Sequence, residues 1–178
     1  MDIFVEQLVE RKPDSRSIFF RILLLAGIAA VCTLFFIAAL FVLGGAVAPI
    51  ALVAIPGVLW LGLQLLRGLT CEYEYILTNK DLDIDKIIGK RRRKRMVSLD
   101  LNNAETLDIY TENLSLNAEV TVSAHDNSYV NMWYLTIRHE SHGNVALLFN
   151  PNDKFIVKLN KVLPMRARNK QITEKGGE

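Results

Sequence analysis

The sequence lacks charge over one long stretch, because residues 22–66 contain no Asp, Glu, Lys, Arg or His. The hydrocarbon core of a bilayer is about 30 Å thick and needs about 20 apolar helical residues for each crossing. The stretch is long enough for two crossings, and it divides at Gly44 and Gly45. It therefore predicts a hairpin of two transmembrane helices, 22–43 and 46–66.

Cysteine is scarce, and only Cys32 and Cys71 occur. One lies inside the first apolar run and the other just after the second, so no disulfide framework is expected. We interpret them as an apolar filler and a juxtamembrane thiol, with lipidation of Cys71 as the alternative.

The patterns of catalytic and metal sites are also missing. The sequence contains no Gly-rich phosphate loop, nucleophile elbow or dinucleotide fingerprint. His139 and His142 have one further His to complete a zinc site, which is too few ligands. Asp81, Asp83 and Asp85 have part of the spacing of a calcium-binding loop. However, they alternate with Leu82 and Ile84, which is typical of a strand with one acidic face. We predict that the chain is not an enzyme and holds no metal or cofactor.

Basic residues flank the apolar stretch on both sides and are absent from the connection around residues 44–49. Lys and Arg near the ends of membrane helices mark the cytoplasmic side. We therefore predict a two-span protein of the cell membrane with both termini cytoplasmic. The flanking basic residues are Arg11, Lys12, Arg16, Arg21, Arg67 and the cluster at 90–95.

Polar segments surround the hairpin. In the first eleven residues, apolar side chains recur at helical spacing, which favours an amphipathic turn or a frayed end. After residue 71, about seven short alternating segments predict an all-β barrel or sandwich: 72–77, 82–87, 96–101, 106–110, 118–124, 133–138 and 145–149. Asn150 as a cap and Pro151 at the first helical position then predict an amphipathic helix that ends at Pro164.

A membrane hairpin followed by seven strands and one helix resembles the bacterial pleckstrin-homology-like (PH-like) membrane proteins. The segment 73–101 carries most of this resemblance: a Tyr-rich strand, Leu77-Thr78-Asn79, an alternating strand, Gly89, a basic cluster and Val97-Ser98-Leu99. Residues 1–6 and 73–95 also resemble a family of small two-span proteins, common in clostridia, whose domain has no known function.

The sequence pattern and the resemblance together predict an α+β membrane protein with four parts. These are an N-terminal cytoplasmic segment (1–17), the transmembrane hairpin (18–67), a PH-like barrel capped by a helix (68–164) and a disordered tail (165–178). Phosphoinositide-binding members of the superfamily usually place basic residues around the loop that joins the first two strands. We assign that loop to residues 78–81, where Lys80 stands beside Asp81, so headgroup recognition is not implied.

The strongest local signal is a basic cluster: Lys90, Arg91, Arg92, Arg93, Lys94 and Arg95. If residues 72–87 form a hairpin, the turn at Gly89 returns to the end of the sheet where the membrane helices finish. There the cluster would face anionic lipid headgroups, at about 1 kcal/mol for each residue near the surface. The alternatives are a docking site for an acidic protein or nucleic acid, and a solvated hairpin without a role.

The function that we predict is a membrane-tethered cytoplasmic binding or assembly module without catalytic activity. Its partners would be the lipid bilayer, anionic headgroups and an unknown protein; a net charge of +2 gives no reason to expect nucleic acid. The alternative is an accessory subunit of a transporter or membrane enzyme that acts through the hairpin. Small residues that would allow such helix packing are Gly27, Ala30, Ala38, Ala39, Gly57 and Gly62.

Overall fold

The computed structural model of the protein describes residues 3–39, 48–112, 114–128, 130–139, 141 and 143–175. The predicted break at Gly44 and Gly45, and His142, lie outside these residues. The chain forms two compact units. A β-rich unit comprises Met1–Lys12, Cys71–Ile87 and Arg91–Glu178, and a helical unit comprises Pro13–Thr70 and Ile88–Lys90.

Within the described residues, the β-rich unit contains two four-stranded sheets. The first sheet has the order β1-β2-β3-β4, and the second has the order β5-β7-β8-β6, in which β6 runs parallel to β8. The strands are β1 Phe4–Glu10, β2 Cys71–Thr78, β3 Asp81–Ile88, β4 Arg92–Asp100, β5 Ala104–Ile109, β6 Val120–Ala124, β7 Trp133–His139 and β8 Gly143–Phe149. The seven segments predicted after residue 71 all correspond to strands.

β1 contradicts the prediction of an amphipathic turn or a frayed end. Phe4 through Glu10 pair antiparallel with Thr78 through Glu72 of β2. Val5 is buried in the core, and Gln7 and Val9 share its face of the strand. The first residues therefore belong to the β-rich unit, and neither a separate segment 1–17 nor a self-contained domain 68–164 describes the chain correctly.

Tyr75 lies at the centre of the core. Its ring packs edge-to-face against Phe149 and Phe155, with centroids 5.8 and 5.9 Å away. Its hydroxyl donates to the Ala124 carbonyl and accepts from the Asn150 amide at 3.2 Å. Burial raises the pKa of Tyr75, so the phenol stays neutral and joins β2 to the neighbouring C-terminal ends of β6 and β8.

The predicted C-terminal helix is present as α3, Asp153–Val162. Its N-cap is Asn152, whose side chain accepts from the Phe155 amide at 2.8 Å, so the prediction of Asn150 as the cap is wrong. Asn150 instead accepts from the Asp126 amide at 3.1 Å and donates to the Val130 carbonyl at 3.0 Å.

The tail from residue 165 is predicted to be disordered, and for residues 165–175 this is wrong. A short helix, α4, spans Lys170–Lys175. Ala167 and Ile172 are buried in the core cluster. The Asn160 side chain donates to the Asn169 carbonyl at 3.0 Å and accepts from the Asn169 amide at 2.9 Å. The buried apolar side chains and the hydrogen bonds between Asn160 and Asn169 hold this segment against the domain. Its charged composition alone would predict disorder.

The helical unit contains α1, Ser15–Ile37, and α2, Ala48–Gly68. Where the two helices meet, a Cβ on Gly62 would overlap the side chain of Ile28, whereas Gly27 and Gly57 have open space around their Cα atoms. By length and composition, α1 is the helix within the described residues that is long and apolar enough to cross a membrane, and the apolar part of α2 counted from Leu52 is shorter. The two-span hairpin therefore remains a prediction.

Candidate functional site

The basic cluster begins in the tight turn between β3 and β4. Gly89 and Lys90 both adopt positive φ, at 62° and 57°. The Gly89 amide donates to the Thr70 carbonyl at 2.9 Å, and a Cβ at Gly89 would lie 3.2 Å from the Arg67 carbonyl oxygen. Glycine is favoured here by both the conformation and the close approach. The turn thus contacts Thr70, the residue before β2. This is the position that the sequence predicts for the turn at Gly89.

Two members of the cluster form ion pairs within the sheet. Arg93 donates through Nη2 to Oε1 of Glu74 at 2.9 Å, and the same nitrogen lies 2.9 Å from Oε2 in an ion pair. Arg95 reaches Asp83 through Nη1 and Asp85 through Nε, both at 2.9 Å. Glu74 and Asp85 are only 3% and 4% exposed. Removing either arginine would leave a buried carboxylate without its cation, which is costly.

Glu74 is an unusual carboxyl group because Glu6 of β1 lies beside it. Burial raises the pKa of Glu74, and a hydrogen bond with the Glu6 side chain raises it further, while Arg93 lowers it. The β-rich unit therefore holds two carboxyl groups and a guanidinium together on the outer face of the first sheet. This arrangement ties β4 electrostatically to β1 and β2.

The remaining members of the cluster are exposed. Lys90 and Arg91 have interaction partners. The side chains of Arg92 and Lys94, in contrast, form no ion pair or hydrogen bond with the part of the chain that the structure describes. The structure therefore separates side chains that the sequence presents as equivalent. The sequence contains one indication of this difference. Acidic residues alternate with apolar ones along β2 and β3, and these Glu and Asp side chains need cationic partners on β4.

Other candidate sites have structural explanations. The His139 ring accepts from the Ser141 amide at 3.2 Å, which is a turn contact. Tyr73 and Tyr75 are buried and pack in the core. Among the described residues, no group of three His, Cys, Asp or Glu side chains is arranged to hold a metal ion.

Similarity to known proteins extends over both units. No curated protein and no solved structure matches the chain. A family model described as "Bacterial PH-like domain (DUF6106)" matches residues 1–169. This confirms the predicted PH-like domain; PH-like domains are generally non-catalytic binding modules. The match includes β1, both long helices and α3, and the chain therefore belongs to this family of bacterial PH-like domains.

Proposed function

We propose that the protein is a non-catalytic binding module anchored in the bacterial cell membrane by α1 and α2, with its PH-like domain and both termini in the cytoplasm. The observation that carries this proposal is the pairing of β1 with β2 across the helical insertion. The supporting evidence comes from the surface of α1, the topology of the sheet and the distribution of charge.

The surface of α1 suits lipid. The helix has 23 residues, and none of them is buried in the protein. Its apolar side chains surround the helix on all sides after Arg21, with no polar face. A helix that is apolar all round requires a protein core or a bilayer to cover it. Since the protein buries none of its residues, a bilayer is the natural solvent.

The first sheet supports an even number of crossings. β1 precedes α1, β2 follows α2, and the two strands pair along seven residues. Strands paired in one sheet lie on the same side of a membrane. If α1 crosses the bilayer, α2 must therefore cross back. The basic residues Arg16, Arg21 and Arg67 at the outer ends of the two helices favour the cytoplasmic side.

The exposed side of β4 supports a contact with anionic lipid. Arg92 and Lys94 carry positive charge that no described carboxylate neutralises, whereas Arg93 and Arg95 are held by Glu74, Asp83 and Asp85. Two cations near an anionic surface contribute about 2 kcal/mol in total, or roughly thirtyfold in affinity. We propose Arg92 and Lys94 as the principal lipid-facing pair, with Lys90 and Arg91 beside them.

A matched pair of double variants tests the lipid contact. The test uses a loop variant, in which a Gly-Asn-Gly-Ser turn replaces residues 13–69, after its NMR spectrum has shown a folded domain. We expect R92Q/K94Q to weaken salt-dependent binding to phosphatidylserine vesicles by roughly thirtyfold at unchanged thermal stability. The control R93Q/R95Q removes the same charge, and we expect it to lower the melting temperature. Equal loss of vesicle binding in the two variants at equal stability would contradict the proposal.

One observation favours the alternative, an accessory subunit that acts through the helices. An apolar groove of about 480 Å³ runs along α1 and α2, and Gly27, Val58 and Leu61 contribute to its walls. Such a groove could receive a helix of a transporter or membrane enzyme. Substitution of Gly27 by Leu fills the groove: loss of a membrane complex in G27L, but not in R92Q/K94Q, would favour this alternative.

A further inference from the structure

A second cleft lies in the β-rich unit, at the end of the first sheet that carries the β2–β3 turn. Its volume is about 510 Å³, within the range of small-molecule sites. It lies where the β2–β3 turn and the short 3-10 turn Leu101–Asn103 meet the end of α3. Its polar lining residues are Asn79, Lys80, Asn102, Lys161 and Arg168.

This cleft is distinct from the loop that phosphoinositide-binding members of the superfamily use. Because β1 is the first strand of the domain, the turn at Asn79 and Lys80 joins the second and third strands. Our assignment of residues 78–81 to the loop between the first two strands is therefore wrong. The turn follows the end of β2 away from Cys71, about 23 Å along the strand, so the cleft and the basic cluster are separate surfaces.

The walls of the cleft are fixed by hydrogen bonds. Asn79 has a positive φ of 54°, and its amide donates to the Ile3 carbonyl at 2.7 Å. Its side-chain oxygen in turn accepts from the Ile3 amide at 3.0 Å. Arg168 donates to the carbonyls of Leu163 and Lys161, both at 2.9 Å, and so closes the end of α3. The lining is therefore organised before any ligand arrives.

The polar groups that line this cleft offer more hydrogen-bond donors than acceptors. The side-chain oxygens of both asparagines are occupied, by the Ile3 amide at Asn79 and by the Lys80 ammonium, at 2.8 Å, at Asn102. The Asn102 side-chain amide in turn donates to Asp100 at 2.8 Å, so the main donors left for a ligand are those of the cations. Lys80 keeps further N–H groups, and the Lys161 ammonium has no partner within the described residues. Three cations line the cleft, while Asp81 and Asp100, which are near them in sequence, do not. The complementary ligand is an anion with several acceptor oxygens.

We propose that this cleft binds a phosphate monoester. A dianionic phosphate offers three acceptor oxygens to the two lysines and the arginine, and its charge matches theirs better than a carboxylate does. The organic part rests on the apolar wall that Leu163, Pro164 and Met165 form. Met165 is 82% exposed, so a ligand would cover apolar surface that the protein leaves open to water. This site does not depend on whether the helices cross a membrane.

The test uses the full chain in nanodiscs of zwitterionic lipid. Titration with phenyl phosphate, followed by NMR of backbone amides, is expected to give saturable shifts at Lys80, Asn102 and Lys161. Inorganic phosphate, which lacks the apolar part, is expected to bind more weakly, and the monoanion benzenesulfonate more weakly than phenyl phosphate. The absence of saturable shifts with phenyl phosphate would overturn the proposal.

Two lysine variants on the same helix separate a site from diffuse charge attraction. Lys161 lines the cleft, whereas Lys154 is exposed in the first turn of α3 and does not. We expect K161Q to weaken phenyl phosphate binding by about tenfold or more, the effect of losing one charged hydrogen bond. K154Q removes the same charge and should bind like the parent chain. Equal weakening in the two variants, at equal melting temperature, would refute a localised site.

A final arm identifies the source of the phosphate group. Nanodiscs that contain phosphatidic acid present the same phosphate monoester on a lipid. If K161Q weakens binding of phenyl phosphate, and phosphatidic acid nanodiscs leave phenyl phosphate binding to the parent chain unchanged, the ligand is a soluble compound. If phosphatidic acid nanodiscs abolish phenyl phosphate binding to the parent chain, and produce the same amide shifts, the lipid headgroup is the ligand. Both results support the cleft, whereas shifts confined to residues outside it would contradict it.

Discussion

The backbone amide of Arg11 donates to the carbonyl oxygen of Cys71 at 2.9 Å, which joins the two residues at the borders of the helical insertion. The chain therefore leaves the first sheet at the end of β1 and re-enters it beside the same position at the start of β2. The PH-like domain contains β1, which precedes α1, and β2 to β8, which follow α2. A variant without the two helices must therefore retain β1 as well as the chain from β2 onwards.

The loop variant tests this assembly. With residues 13–69 replaced by a four-residue turn, we expect a soluble, monomeric domain with dispersed amide resonances, because β1 keeps its ladder with β2. The fragment 71–164 lacks β1 and α4, which contribute Val5 and Ile172 to the core, so we expect it to aggregate or to unfold without cooperativity. A cooperatively folded fragment 71–164 would contradict the role that we assign to β1.

Gln7 links β1 to the start of α3. Its side chain donates to the Asn150 carbonyl at 3.0 Å and accepts from the Asn152 amide at 2.9 Å. We expect Q7A to lower the free energy of unfolding by about 1–2 kcal/mol, since both partners lose a hydrogen bond. Urea unfolding of the loop variant measures this change. Phe4→Ala, at a position 60% exposed on the same strand, serves as the control, and a cost as large as that of Q7A would argue against the link.

His125 makes the stability of the PH-like domain sensitive to acid. Burial lowers the pKa of His125 from its ordinary value of 6.5, and the charge of Arg11 lowers it further, while Asp126 opposes them. The ring nitrogen Nδ1 accepts from the Asn127 amide at 3.1 Å, and a proton on Nδ1 would abolish that bond. A depressed folded pKa gives stability that is present above pH 6.5 and is lost as the pH falls through the folded pKa.

Urea titrations of the loop variant at pH 7.5 and 5.5 measure this dependence. We expect the free energy of unfolding to fall at the lower pH, and to fall less in H125Q, whose amide cannot take up a proton in this range. An identical pH dependence in the two chains would show that His125 is not the group responsible.

Gly62 and Ile28 set the approach of α1 to α2. Because a side chain at Gly62 would overlap Ile28, we expect G62L to loosen the helical pair. Gly57 of the same helix has open space around it, so G57L is the matched control. In a C71S background, the rate at which a thiol dye labels the half-buried Cys32 in detergent reports the packing. We expect faster labelling in G62L than in G57L, and equal rates would exclude this contact.

The pattern of the sequence predicts the elements of the PH-like domain with local signals and misses those without them. Alternation predicts β2 and β3, whose register partners are close in sequence. β1 has its partner across the helical insertion, and Ile3, Phe4, Leu8 and Val9 also fit a helix, so the chain alone does not indicate that Val5 is buried. The tail is predicted to be disordered because charge dominates its composition, whereas in the structure Ala167 and Ile172 pack in the core.

The candidate sites show the same limit. The basic cluster is recognisable in the sequence as six consecutive Lys and Arg residues. The sequence does not show that Arg93 and Arg95 form ion pairs whereas Arg92 and Lys94 do not, because this depends on which carboxylates lie across the sheet. The cleft at Lys80 combines residues from four separate parts of the chain, so no local motif predicts it.

The most direct test of the membrane-anchored module is the accessibility of single cysteines to an impermeant maleimide in intact bacterial cells. In a C32A/C71A background, cysteines replace Asp14 before α1, Gly45 between the helices, or Gly68 at the end of α2. We predict labelling from outside at position 45 alone, with positions 14 and 68 labelled only after the cells are opened. Labelling of positions 14 and 68 on opposite sides, or of none of the three from outside, would contradict two crossings with the PH-like domain in the cytoplasm.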